Sequence, residues 1–405
     1  MKKYIRYTLL LVPFVFVYAC SSDDDDPVVP PIAVPCIDIN LTASFETGRY
    51  SVVEINPDID IKNADNLEVS YTWSITSNDK DSVISDQKVL KFISPRSGKY
   101  DVSLTVACGE TSKKASTSVS VSTDDNNYSN IAGTVIEYSP APDFSLSWGG
   151  IFAVDEADVL AQAQDAMTND MGIYLGNFGG YVITKFDHTV INTYNQRDLL
   201  IEMDGSLADV KKFNTPVVVM VAYDANKNGI ADADEWYEIA GSEHHKSTTI
   251  RNYEITYFRP DAGKEPVAGI HDWEYDTQYL KWSSNKNETG YITQTSFGVG
   301  TDYYPAWKPD SYTLKGTKLA IPIKDISDGD QSSWNVGTFE WGYGGIKDSR
   351  IDISWAVDKD GNKVYLPGVD FIKVYVPTFS AIGDWGYLTS IFKSAKDINL
   401  ISEDQ

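Results

Sequence analysis

The sequence predicts an all-β protein: an N-terminal immunoglobulin-like sandwich, then a larger jelly-roll-like β-sandwich with one short helix. Three observations carry this. Short runs alternate apolar and polar residues with a period of two, clusters of Gly, Pro, Asn, Asp and Ser separate them, and aromatic residues reach 12%, with 25 Tyr and 10 Trp. The net charge of −24, from 58 acidic against 34 basic side chains, excludes nucleic acid as a partner, because phosphate binding needs clustered Lys and Arg.

The chain opens as a secretion signal over residues 1–19. Lys2, Lys3 and Arg6 form its basic start, and the apolar stretch Leu9 through Val17 is too short to span a bilayer. Val17-Tyr18-Ala19-Cys20 resembles the lipobox of bacterial lipoproteins, which implies cleavage before Cys20 and a lipid on its thiol. Residues 20–35 form a tether. Ser21-Ser22-Asp23-Asp24-Asp25-Asp26 is a solvated charge run that resembles the export signal of Bacteroidetes surface lipoproteins, and Pro27, Pro30, Pro31 and Pro35 stiffen the rest of the tether into an extended stalk. The expected location is the outer membrane, lipid-anchored and facing outward, with no membrane contact other than the lipid.

Residues 36–123 make the first folded region. Leu67, Val69, Tyr71 and Trp73 share one face of a strand over Asn66 to Ser74, and Tyr100, Val102, Leu104 and Val106 share a face of another. In such a sandwich the chain start and the last hairpin turn lie at one end. A Cys36–Cys108 disulfide is therefore expected, closing a long loop at a gain of about 4 kcal/mol, with two free thiols as the alternative. Tyr71-Thr72-Trp73 and Gly98-Lys99-Tyr100-Asp101-Val102-Ser103-Leu104-Thr105-Val106 resemble strands of a PKD domain, which implies a spacer or a protein contact.

A polar junction, Ser122 to Asn127, precedes the second region, residues 131–405. Glu156 to Asp170 carries the helical spacing, with Val159, Leu160, Ala163 and Met167 on one stripe and Asp155 as N-cap. Val217 to Tyr223 is apolar on both faces and reads as a central strand. Asp352 to Val357 and Val364 to Leu366 flank Asp358-Lys359-Asp360-Gly361-Asn362 as a hairpin.

One motif carries specific chemistry. Asp224 to Glu235 satisfies D-x-[DN]-x-[DN]-G-x5-E over twelve positions. Oxygen donors from Asp224, Asn226, Asn228, the Ile230 carbonyl, Asp232, Asp234 and Glu235 suit Ca²⁺, and Gly229 permits the sharp turn. The loop runs from strand to strand rather than from helix to helix. That context puts Glu235 in question as the closing ligand and brings forward Asp232 or Asp234.

Other constellations are weaker. His188, His244, His245 and His271 lack the spacing of a zinc site, and no nucleophile elbow or phosphate-binding loop is present, so no catalytic residue is assigned. Glu340 and Asp348 are one carboxylate pair among many. From Trp273 to Tyr343 the Trp and Tyr density is about twice the average of 35 in 405, and Trp273, Trp282, Tyr303, Tyr304 and Trp307 are the candidate ligand-stacking rings. Burial in a core is the competing assignment for the same rings.

The second region also resembles a family of Bacteroidetes surface lipoproteins with PKD domains. Val135-Ile136-Glu137-Tyr138-Ser139-Pro140, Phe178-Gly179-Gly180-Tyr181-Val182-Ile183-Thr184-Lys185-Phe186-Asp187-His188, Glu235-Trp236-Tyr237-Glu238-Ile239 and Asp370-Phe371-Ile372-Lys373-Val374-Tyr375 carry the resemblance. It implies non-catalytic capture of a nutrient, a glycan or a corrinoid, for an outer-membrane transporter. An adhesin with a protein partner is the alternative function, and a glycan-active enzyme the third.

Overall fold

The computed structural model describes residues 34–77, 80–204, 215–327 and 334–400. The signal, Cys20 and the tether as far as residue 33 lie outside the described residues. Among the described residues no helix is long and apolar enough to cross a membrane.

The N-terminal region is built on a five-stranded sheet in the order Ser44–Gly48, Thr111–Ser122, Gly98–Cys108, Val69–Ser77, Lys80–Ser85. Cys108 pairs with Thr111 across a two-residue turn, and Gly109, at φ 58°, supplies the left-handed conformation such a turn demands. Ser44–Gly48 runs parallel to Thr111–Ser122, with Ser44 opposite Ser118 and Gly48 opposite Ser122. Two short antiparallel pairs form the second layer, Cys36–Asn40 with Asp58–Lys62 and Val53–Ile55 with Leu90–Phe92. Trp73 is wholly buried among Ile55, Phe92, Leu104 and Val106, and its indole N–H donates to the Gln87 carbonyl at 2.9 Å. That bond lets the largest ring sit dry.

The expected disulfide is not formed: both cysteines are free, Cys36 exposed and Cys108 buried. Strand alternation is the reason. Ile37 points into the core, so its neighbour Cys36 points to solvent, whereas Cys108 belongs to the core cluster.

Among the described residues the second region holds three larger sheets and one two-stranded pair, Ile323–Asp325 with Trp334–Val336. Sheet I has six strands in the order Thr134–Ser139, Tyr181–Ile191, Gly368–Tyr375, Val218–Ala222, Trp236–Ile239, Ala356–Val357. Sheet II has four, Ile173–Tyr174, Ile391–Asp397, Leu199–Asp204 and Arg350–Ile351. Val182, Phe186, Val219, Val221, Ile372 and Val374 of sheet I meet Leu199, Ile201, Phe392 and Ala395 of sheet II in the main core. The predicted central strand is thus confirmed as Val218–Ala222. The helix spans Glu156–Thr168, lays Val159 and Ala163 into this core, and is capped by the Asp155 carboxylate, which accepts from Asp158 N at 2.8 Å.

Sheet III, in the order Thr289–Thr295, Glu274–Ser284, Ile250–Phe258, Ser311–Lys318, has its own core of Tyr253, Tyr257, Leu280, Ile292 and Leu314. It is tied to sheet I where the Tyr375 hydroxyl accepts from Thr317 N and donates to Glu238, each at 2.8 Å. One expected strand is broken. Over Asp352 to Val357 the chain forms a 3-10 turn, Ile353–Trp355, before the short strand Ala356–Val357, because the Asp352 carboxylate accepts from Ser354 N and buried Asp198 accepts from Ile353 N. The hairpin beyond it persists, with Val364 N donating to Ala356 O at 2.9 Å.

Candidate calcium loop and ring platform

Asp224 to Glu235 joins two neighbouring strands of sheet I, with Ala222 paired to Trp236 just below it. Lys227 and Gly229 both adopt positive φ, 58° and 80°, and curl the chain so that successive amides face the leading carboxylate. Asp224 accepts from Asn228 N at 2.9 Å and Gly229 N at 2.7 Å, while Asn226 and Asn228 accept through Oδ1 from Asn228 N and Ile230 N. The two asparagine NH₂ groups turn onto a single oxygen, Asp232 Oδ2, at 2.7 and 2.9 Å. Asp224, Asn226, Asn228 and Asp232 are therefore brought together.

The remaining predicted donors are placed differently. Glu235 is buried, and its two oxygens accept from Ala225 N and Asp232 N, so it closes the loop through main-chain amides. Asp234 is exposed. Ile230 displays its side chain, as suits a residue whose use would be its carbonyl. Among the described residues no three His, Cys, Asp or Glu side chains gather as a metal cluster; the loop combines carboxylates with amide and main-chain oxygens, the donor chemistry of a hard cation.

Two supports went unseen in the sequence. Asp370, from the neighbouring strand, accepts from Asp224 N at 2.7 Å and from the Thr189 hydroxyl at 2.6 Å, and burial raises its pKa against both bonds. Lys185 donates to the Gly229 carbonyl at 3.0 Å. Their only sequence signal was membership of the resemblance phrases.

The candidate stacking rings divide. Tyr303 and Tyr304 are core residues of sheet III, so they are corrected: neither is displayed to a ligand. Each satisfies its hydroxyl inside the fold, Tyr303 by accepting from Thr295 N and Tyr304 by donating to the Pro309 carbonyl. Trp282 packs edge-on to Phe379 and Trp307 lies against the main core, both half-buried. Trp273 is half-buried and stacks on exposed His271, centroids 5.4 Å apart with planes 3° from parallel.

Within the dense window the exposed Trp and Tyr rings are Tyr275, Tyr291 and Trp341, and a further group lies on 3-10 turns. Three 3-10 turns, Phe144–Trp148, Ser296–Gly298 and Gly383–Trp385, pack against one another. Phe297 and Trp385 stack with centroids 5.4 Å apart and planes 15° from parallel. Trp148 stands edge-on to buried Phe144 at 4.9 Å, and Trp148, Phe297 and Phe152 are 50%, 54% and 71% exposed. Beneath them Asp143 caps the first turn by accepting from Ser145 N at 2.9 Å, and burial pushes its pKa up to about 6. The density of Trp and Tyr does not point to these rings, because Phe297 is neither residue type and Trp148 and Trp385 lie outside the Trp273 to Tyr343 window.

The histidines lie apart. His188 is buried at the joint between the two regions, bonded to Asp187 at 2.8 Å and Asp397 at 3.0 Å, with the Tyr50 ring 4.6 Å away. Burial opposes its protonation, but the two carboxylates outweigh it and raise its pKa. His244 is 3.5 Å from Glu238, with His245 beside it, and His271 belongs to the Trp273 stack. Asp348 is taken by Arg350, which holds it down at about 2.

No family model matches the chain, and no curated protein matches it. Among solved structures, a quinonprotein alcohol dehydrogenase-like protein from Bacteroides thetaiotaomicron is 12% identical with a TM-score of 0.16, over 62% of this chain and 47% of that one. This chain thus spans about half the length of that structure. Three N-terminal domains of the highly immunogenic outer capsid protein of bacteriophage RB49 are 10% identical with a TM-score of 0.17, over 78% and 70%.

Proposed function

We propose that this chain is a non-catalytic surface lipoprotein, anchored to the outer membrane through Cys20, that captures a glycan or a corrinoid for an uptake system. The observation that carries the proposal is the platform. Phe297 and half-buried Trp385 stack with nearly parallel planes on turns, with exposed Trp148 on the adjoining turn, and displayed flat apolar rings are a surface on which a sugar face or a planar macrocycle stacks. The lipobox-like Cys20, the acidic run Asp23–Asp26 and the resemblance to surface lipoproteins support the location.

Calcium belongs to the same proposal. Asp224, Asn226, Asn228 and Asp232, with the Ile230 carbonyl, would hold the ion. It would neutralise the loop's crowded carboxylates and replace the amide protons now turned onto Asp232. Its role is structural, stiffening one end of sheet I.

Thermal shifts of the chain with calcium, EDTA, a polysaccharide panel and cobalamin test both parts. The expected result is a rise with calcium plus a selective rise with one panel member that Trp385→Ala and Phe297→Ala abolish. Silence across the panel, or a shift that survives both substitutions, refutes capture on this platform.

A further inference from the structure

The two folded regions enclose an open trough of about 970 Å³. One wall is the unbroken run Ser82 to Ile93, and the other comes from Ile191–Gln196 and Lys363–Pro367. Its floor is apolar, with Leu90, Phe92, Ile191 and Leu366 among its residues. Two strand segments, Ser82–Ser85 and Leu90–Phe92, joined by a bend at Gln87–Val89, make an elongated channel shaped for a chain rather than for a compact molecule.

The wall is also a sheet edge. Lys80–Ser85 is the last strand of its sheet, bonded to Val69–Ser77 on one side only, and Leu90–Phe92 pairs only with Val53–Ile55. Main-chain groups on the outer side of an edge strand are a template for another strand. Ile84 is an extra residue in the register, between Val83 opposite Ser74 and Ser85 opposite Trp73, so the regular edge runs from Lys80 to Val83. Val83 is 41% exposed there.

The charge around the trough selects the occupant. Lys88, Lys91 and Lys363 line it and are exposed, and among the described residues none has a carboxylate partner. Lys363 instead lies 4.9 Å over the Tyr365 ring. Of the carboxylates that also line it, Asp397 is bonded to His188, while Asp86 accepts from the Gln87 amide, which carries no charge to offset it. Glu54 stands opposite Lys91 in the strand pairing, so the lysines outnumber the free carboxylates at the trough. On a chain of net charge −24, three unpaired lysines at one trough are a local reversal of sign.

We propose that this trough binds an extended acidic and apolar segment of a partner protein, which adds as a strand to the Lys80–Val83 edge, sets its apolar side chains on the floor and its carboxylates against Lys88, Lys91 and Lys363. The site is independent of the ring platform and of the ligand captured there.

The test uses the full chain and two labelled twelve-residue peptides, one alternating valine with glutamate and one alternating valine with lysine, read by fluorescence anisotropy. Saturable binding of the glutamate peptide alone is expected. Reversing the three lysines (K88E/K91E/K363E) should weaken it by about tenfold. Val83→Pro, which removes an edge amide, should weaken it as well, while Trp385→Ala should leave it unchanged. Thermal midpoints of each variant separate lost binding from lost folding, and the lysine positions are exposed enough to accept reversal. Equal binding of the lysine peptide, binding indifferent to the lysine reversal, or no saturation with the glutamate peptide overturns the proposal.

Discussion

Sheet III and the turn-borne platform are both built from aromatic side chains, yet the first buries most of its rings, leaving Tyr275 and Tyr291 exposed, whereas the second displays Phe297 and Trp148. The buried set is mainly tyrosine. Tyr257 donates to the Phe178 carbonyl at 2.9 Å, Tyr312 to the Pro140 carbonyl at 2.7 Å and Tyr253 to Glu288 at 2.6 Å, so each phenol enters the interior with its hydroxyl satisfied. The displayed set on the 3-10 turns is Phe297 and Trp148, while Phe144, on the same turn as Trp148, is buried. Display is thus set by the side of its element on which a ring falls, more than by the number of rings nearby.

Substitution of a buried ring should give the largest effect. Tyr257→Ala is expected to cost about 3–5 kcal/mol in urea unfolding, and Tyr257→Phe about 1–3 kcal/mol, from the Phe178 carbonyl left without its donor. A Tyr257→Ala protein as stable as its parent would break the comparison.

Asp143, beneath the platform, sharpens it. Its pKa is raised to about 6 in the folded chain, so the folded state holds this proton more tightly than the unfolded state does. Below the ordinary carboxylate pKa both states are protonated and nothing is lost. As pH rises through about 6 the buried group must ionise, and stability falls by up to about 3 kcal/mol. Asp143→Asn keeps the capping oxygen and removes the ionisation, so unfolding measured from pH 4 to 7 should lose this slope.

Calcium tests a third kind of surface, a displayed loop that the proposed ion would close. At a hundredfold excess over its dissociation constant, calcium should add about 2.7 kcal/mol, visible as a higher melting temperature that EDTA reverses. Asp224→Ala should abolish the response, whereas Asp234→Ala, at an exposed carboxylate, should retain it.

The smallest stability effect is expected at the platform. Phe297→Ala, at an exposed ring, should change unfolding by about 0.5 kcal/mol or less while removing any ligand response. A large loss of stability would mean that this ring is core after all.

Much of the fold was legible in local pattern. The helix at Glu156, its Asp155 cap and the buried strand Val218–Ala222 are set by spacing and alternation, which act over a few residues. The calcium-like loop was legible as a unit because its geometry is held by its own Asx turns. Features that depend on distant partners were not legible. Asp370 reaches the loop across 146 positions of sequence, and the burial of Tyr303 depends on where sheet III lies. The Cys36–Cys108 pairing failed on a parity of one residue: alternation turns Ile37 inward and Cys36 outward.

The parallel pairing of Ser44–Gly48 with Thr111–Ser122 bears on how the protein carries load. One strand lies near the start of the N-terminal region and the other leads out of it towards the second, so tension arriving at Ser44 and at Ser122 pulls the two strands past each other lengthwise. In that shear geometry the ladder bonds from Ser44–Ser118 to Gly48–Ser122 are strained together, where an antiparallel pair peeled from one end would release them in turn. The N-terminal region is thus arranged to resist tension applied between Ser44 and Ser122.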